Sequence, residues 1–131
     1  MRLRIGISAV LAGVILVVLS VPAPAHHSLP TFFDVEKIVQ VVGVVKSVRI
    51  MNPHSEILFE VTDSNGQKAE WVGVSGSSAQ MTRAGWTNDT LKVGSTVTIE
   101  GNPVRRAGAK GILVKSFILA DGKKITASEV N

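Results

Sequence analysis

Hydrophobic and polar positions alternate along much of the chain, which is the pattern of β-strands that bury one face. Residues 35–51 are rich in β-branched side chains and predict a long first strand, in which Gly43 indicates a bulge or a bend. Residues 55–62 alternate apolar and polar side chains and predict a second strand. A hairpin turn at residues 63–66 then leads into a third strand at residues 67–74.

A short helix is predicted after the third strand. Ser77 or Ser78 can cap its N-terminus. Gly85 stands where a helix commonly ends in a left-handed residue. The Schellman motif that such an ending forms would bring the side chains of Met81 and Trp86 together, so we expect Trp86 to pack over the helix end.

Two further strands are predicted at residues 95–101 and 112–119, on either side of a loop rich in Pro, Gly and Arg. The resulting order is β-β-β-α-β-β with a long, bent first strand. A mainly β, five-stranded Greek-key barrel of the oligonucleotide/oligosaccharide-binding (OB) type has this order, with its helix between the third and fourth strands. A small open α+β sheet and an SH3-like barrel are the alternatives.

The N-terminus has the pattern of a bacterial export signal. Arg2 and Arg4 precede an uncharged apolar run, and Ala23 and Ala25 give the small-x-small pattern that signal peptidase requires. We predict cleavage after Ala25 and a periplasmic or secreted protein, with an uncleaved membrane anchor as the alternative. The chain then divides into a signal peptide at residues 1–25, an N-terminal arm at 26–37, the barrel domain at 38–126 and a C-terminal tail at 127–131.

Removing the signal lowers the positive charge. The 131-residue chain has 14 Lys and Arg against 10 Asp and Glu. The predicted mature chain has 106 residues, 131 less the 25 of the signal, and a net charge of +2, because two arginines leave with the signal. So small an excess argues against nucleic-acid binding.

The lack of Cys excludes disulfides and thiolate metal sites. No catalytic constellation is recognisable, so we expect a binding module rather than an enzyme, with no membrane association after cleavage.

Three histidines form the first candidate site. His26 and His27 would begin the mature chain, and His54 lies in the loop between the first two predicted strands. A terminal amine and an imidazole can chelate one metal ion, and three or four nitrogen donors suit Cu(II), with Ni(II) or Zn(II) next. We therefore predict that His26, His27 and His54 bind copper or another divalent metal. A solvated terminus and an unassigned loop histidine are the alternative.

The second candidate site needs no metal. Trp71 lies on the third predicted strand, and Arg105 and Arg106 lie in the loop between the fourth and fifth, which OB-folds use for ligands. Such a face would bind a peptide, a glycan or a periplasmic partner protein. For the arginines, the alternative is surface charge that keeps a small barrel soluble.

Several segments are distinctive in their order. They are His26-His27-Ser28, Asn52-Pro53-His54, Gly85-Trp86-Thr87, Val97-Thr98-Ile99-Glu100-Gly101 and Leu119-Ala120-Asp121-Gly122. In these segments the chain resembles the DUF6152 family of small exported bacterial proteins of unknown function. The resemblance implies export and a small β-barrel, brings no established activity, and adds Asn52 and Trp86 to the candidate binding residues. The chain departs from the family at Ile50-Met51, where members usually carry an aromatic residue.

Overall fold

A computed structural model describes residues 29–127. The predicted signal peptide, His26, His27 and the residues after 127 lie outside this range. The elements in chain order are α1 (Leu29–Phe32), β1 (Val39–Arg49), β2 (Glu56–Thr62), β3 (Lys68–Val74), α2 (Ser78–Arg83), β4 (Thr96–Pro103), β5 (Gly111–Leu119) and β6 (Lys124–Thr126). Within residues 29–127, no helix has the length and apolar character to span a membrane.

Five strands close into a barrel. The sheet order is β3-β2-β1-β4-β5-β6, and all of these neighbours pair antiparallel. A short parallel pairing of β3 with β5, from Val72 opposite Gly111 to Val74 opposite Leu113, joins the two ends of the five-stranded set. The predicted five-stranded barrel of OB type is therefore confirmed. The sequence did not predict β6, which pairs with residues 116–118 of β5.

The long first strand crosses the whole barrel. The first half of β1 pairs with β4 and its second half with β2. Its bulge is at Lys46, where the register with β2 shifts, so of the bulge or bend predicted at Gly43 the bulge is wrong. Gly43 has a different role, because a Cβ there would lie 2.7 Å from Cδ2 of Phe59. Glycine thus lets β1 pass close to a core phenylalanine.

The helix between β3 and β4 has the predicted ends. Ser77 caps α2 in a capping box with Gln80. At the other end Gly85 has φ +82°, and the backbone N–H of Trp86 donates to the carbonyl of Met81 at 3.0 Å. This is the bond that defines a Schellman motif. Trp86 and Met81 are both buried in the core, as the sequence analysis expects.

The core is apolar and continuous through the barrel. Its largest members, all fully buried, include Phe59, Phe117, Ile57 and Met81. Trp86 packs edge-on against Phe117, with ring centroids 5.5 Å apart. Each such side chain contributes about 1.5–3 kcal/mol by leaving water, so burial of these side chains is a main source of the barrel's stability.

A polar ladder crosses the outer face from β1 to β6. The carboxylate of Glu100 on β4 accepts hydrogen bonds from Gln40 at 3.0 Å, Ser116 at 3.1 Å and Lys124 at 2.9 Å. The bond from Lys124, followed by those from Gln40 and Ser116, lowers the pKa of Glu100 to about 2. One carboxylate thus connects four strands, including the short β6.

Candidate functional site

Trp71 lies at the end of the barrel that carries the β2–β3 turn and Lys110 of the β4–β5 loop. This end is here called the barrel mouth. It stands opposite Phe59 in the β2–β3 pairing and so shares the inward face of the sheet. Unlike Phe59 it is only half-buried, and the two rings tilt against each other with centroids 6.3 Å apart. The Lys110 ammonium lies 5.7 Å from the centroid of the Trp71 ring, within cation–π range. Lys110 ends the β4–β5 loop, so this loop covers one side of the indole.

A small cavity opens on the indole. Its volume is about 190 Å³. It is lined by Val61, Asp63, Gln67, Lys68, Ala69, Trp71 and Lys110. Asp63 holds the β2–β3 turn by accepting the backbone N–H groups of Asn65 and Gln67. Lys68 pairs with Glu60 at 2.9 Å, and this hydrogen bond holds the pKa of Glu60 below its usual value. The Gln67 amide, the Lys110 ammonium and the Trp71 indole N–H are the remaining polar side-chain groups of the lining.

The two candidate arginines have different places. Arg105 holds the N-terminal arm on the barrel, because its Nε donates to the carbonyl of Pro30 at 2.7 Å and its guanidinium lies 3.7 Å from Asp34. Nearby, the Asn102 amide donates to the carbonyls of Val35 and Lys37. Arg106 is exposed on the same loop. No local sequence pattern indicates this tether, because it joins residues about seventy positions apart.

His54 lies on the six-residue loop between β1 and β2, residues 50–55, here called the β1–β2 loop. Its side chain is exposed. Asn52 of the same loop accepts hydrogen bonds from the backbone N–H of Ser78 at 3.2 Å and from the Ser78 hydroxyl at 3.0 Å. The candidate Asn52 therefore fixes the loop against the start of α2. His54 is presented to solvent from a held loop.

The arm and the β1–β2 loop lie at opposite ends of β1. The arm precedes Val39 and continues the β4 edge, with Phe33 paired to Val104 and the Asp34 N–H bonded to Pro103. The β1–β2 loop follows Arg49, ten residues later, a path of about 33 Å along the strand. The convergence of His26 and His27 with His54 stays a prediction, because the first two lie outside residues 29–127.

A larger cleft, which the sequence analysis missed, lies between the α2–β4 connection and the β5–β6 turn. Its volume is about 600 Å³. It is lined by Asp89, Thr90, Lys92, Ser95, Thr96, Leu119, Ala120 and Asp121. Several of its polar groups bond within their own turns: Thr90 accepts the Thr87 N–H, Ser95 donates to the Lys92 carbonyl, and Asp121 accepts the Lys123 N–H. The cleft is thus formed where the α2–β4 connection faces the β5–β6 turn.

Two further observations limit what the described residues can do. Trp86 is 4% exposed, and its indole N–H donates to the Thr126 carbonyl at 3.3 Å, so its ring is committed to the core and to β6. Among residues 29–127, no group of three or more His, Cys, Asp or Glu side chains is placed to hold a metal ion.

The fold and its surface define a small single-barrel module of OB type with an aromatic cavity at one end. Residues 12–114 match the model of the family described as a family of unknown function, DUF6152, and the chain belongs to that family. The matched range ends before the distinctive Leu119 segment. No curated protein matches the chain.

Proposed function

We propose that the protein is an exported, non-enzymatic binding module that holds a short neutral glycan at the barrel mouth. The observation that carries the proposal is the cavity of about 190 Å³ on the half-buried face of Trp71. A sugar ring presents an apolar face that can lie on an indole, and its hydroxyls can bond to the Gln67 amide and the Lys110 ammonium. OB barrels bind oligosaccharides through the strands and loops that surround this cavity.

The charge at the cavity favours a neutral ligand. Lys68 is paired with Glu60, and the lining carries one carboxylate, Asp63, besides the Lys110 ammonium. A strongly acidic glycan would find no unpaired excess of positive charge there. The volume corresponds to roughly six water molecules at about 30 Å³ each, so it suits one sugar unit of a longer chain rather than a whole oligosaccharide.

The test is a fluorescence titration of the mature protein with neutral and uronic-acid oligosaccharides. Trp86 is buried, so a ligand at the barrel mouth alters the fluorescence and the acrylamide quenching of Trp71. Gln67→Ala and Lys110→Ala should each weaken binding, and Lys123→Ala, an exposed lysine on the β5–β6 turn, is the matched control. The proposal fails if no neutral glycan protects Trp71, or if Lys123→Ala weakens binding as much as Lys110→Ala.

A second candidate is Cu(II) binding at the mature N-terminus by His26 and His27, with His54 as the additional ligand. The supporting observation is that the arm is held on the barrel from Leu29 onward and that His54 is exposed on a held loop. Calorimetric titration of protein that begins at His26 should give binding that one added N-terminal Gly abolishes. Equal binding with and without the Gly would exclude an amine-dependent site, and His54→Ala measures the contribution of the loop.

Export is tested separately. The N-terminal sequence of the protein recovered from the bacterial periplasm should begin with His26. Recovery of the uncut chain in the membrane fraction would instead support the uncleaved anchor.

A further inference from the structure

The β1–β2 loop carries two side chains of types that can bind a metal ion, those of Met51 and His54. Met51 is 40% exposed, although thioethers are usually buried. His54 is exposed three residues later. Met51 and Met81 are the sulfur-containing residues of the range 29–127, and His54 is its one histidine. The exposed sulfur and this histidine therefore lie on the same six-residue loop.

Met81 does not compete as a soft donor. It is fully buried in the core, and the Ser75 hydroxyl lies 3.3 Å from its sulfur. Among residues 29–127, Met51 therefore provides the solvent-accessible thioether. This distinction between the two methionines also supplies an internal control.

The loop is closed in a way that brings Met51 and His54 together. The Met51 N–H donates to the Ser55 hydroxyl at 3.3 Å, and Ser55, the last residue of the loop, is fully buried. Because His54 directly precedes Ser55, its backbone lies beside that of Met51. Asn52, held by Ser78, fixes the segment between them. Both side chains thus belong to one turn that is fixed by hydrogen bonds, and both are exposed to solvent.

We propose that Met51 and His54 form a two-coordinate site for Cu(I) or a similarly soft monovalent ion. Thioether sulfur and imidazole nitrogen are ligands that Cu(I) prefers, whereas hard cations prefer carboxylate oxygens. The site needs neither the N-terminal amine nor His26 and His27, so it can be tested apart from the Cu(II) candidate, with which it shares only His54.

The experiment uses the mature chain with His26→Ala and His27→Ala, which removes the donors of the arm, and with methyl-labelled methionine. Ag(I), the redox-inert analogue of Cu(I), is titrated and followed by NMR. We expect the Met51 methyl and His54 ring signals to shift together and saturate at one ion per chain, while the Met81 methyl signal stays in place.

Two conservative variants complete the test. Met51→Leu and His54→Asn should each weaken Ag(I) binding by about tenfold or more, as loss of one of two ligands requires. Met81→Leu, a volume-conserving change in the core, should leave the affinity unchanged. An unshifted Met51 methyl signal, or unchanged affinity in either loop variant, overturns the proposal, whatever the N-terminal amine does with Cu(II).

Discussion

The closure of the barrel depends on a glycine in β4. A Cβ on Gly101 would collide with the carbonyl oxygen of Leu113 and would lie 2.9 Å from the carbonyl carbon, well inside the 3.4 Å at which ordinary contact begins. Leu113 cannot easily retreat, because it pairs with Asn102 of β4 on one side and with Val74 of β3 on the other. We therefore predict that Gly101→Ala disrupts the parallel β3–β5 pairing that closes the barrel.

The size of the effect follows from what must move. Overpacking against flexible side chains commonly costs about 1–3 kcal/mol. Here the obstacle is backbone in the closing strand, so we expect Gly101→Ala to lower the free energy of unfolding by more than about 3 kcal/mol, a large share of the roughly 5–15 kcal/mol of a typical domain. Gly85→Ala is the matched control. Its φ is +82° but a Cβ meets nothing within 4 Å, so it carries only the cost of a left-handed alanine, about 1–2 kcal/mol.

The assay is urea unfolding followed by tryptophan fluorescence, since Trp86 is buried and becomes exposed on unfolding. Both variants are compared with the parent chain. Where the m-values are equal, the difference in the urea midpoint reports a change in stability rather than a changed denatured state. A Gly101→Ala protein that is unfolded in buffer agrees with the prediction. If Gly101→Ala costs no more than Gly85→Ala, the argument from the closing strand is refuted.

Three other expectations follow from the same structure. Glu100, whose pKa is lowered to about 2 from an ordinary 4.5, favours folding above pH 4.5, and this contribution is lost as the pH falls toward 2. Glu100→Gln should therefore flatten the acid side of a stability–pH profile; an unchanged profile contradicts it. Ser77→Ala removes the capping box of α2 and should cost about 1 kcal/mol in urea unfolding, and a cost near zero contradicts it. Arg105→Ala should speed hydrogen exchange or proteolysis in the arm while leaving the barrel protected; an unchanged arm contradicts it.

Local signals predicted the elements of this fold well. The turn at residues 63–66 and the helix end at Gly85 are set by a few neighbouring residues, so the sequence shows them directly. β6 has only three residues, too few for an alternating pattern, and it owes its place to Glu100 and Trp86. The bulge at Lys46 was misplaced because its position depends on the pairing with β2 rather than on glycine content.

The candidate site was less predictable, because it depends on contacts between distant residues. Nothing near Arg105 in sequence indicates that it binds Pro30, and nothing near Asn52 indicates that it binds Ser78. Trp71 was predicted as a candidate binding residue, but whether an inward-facing tryptophan is covered depends on where the β4–β5 loop ends. Lys110 at the end of that loop lies over the Trp71 ring, and it is thirty-nine residues away in sequence.

The path of β1 separates the chemistry of this protein into two regions. Its start leads from the arm, Arg105 and the barrel-mouth cavity, and its end leads to Met51 and His54. The barrel between them is closed and filled by side chains, so a ligand at one end has no open channel through the interior to the other. Coupling between the two ends would have to act through the barrel wall. β3 is the direct connection, because it carries Trp71 and the Ser75 N–H that follows it donates to the Ser55 carbonyl of the β1–β2 loop at 2.9 Å.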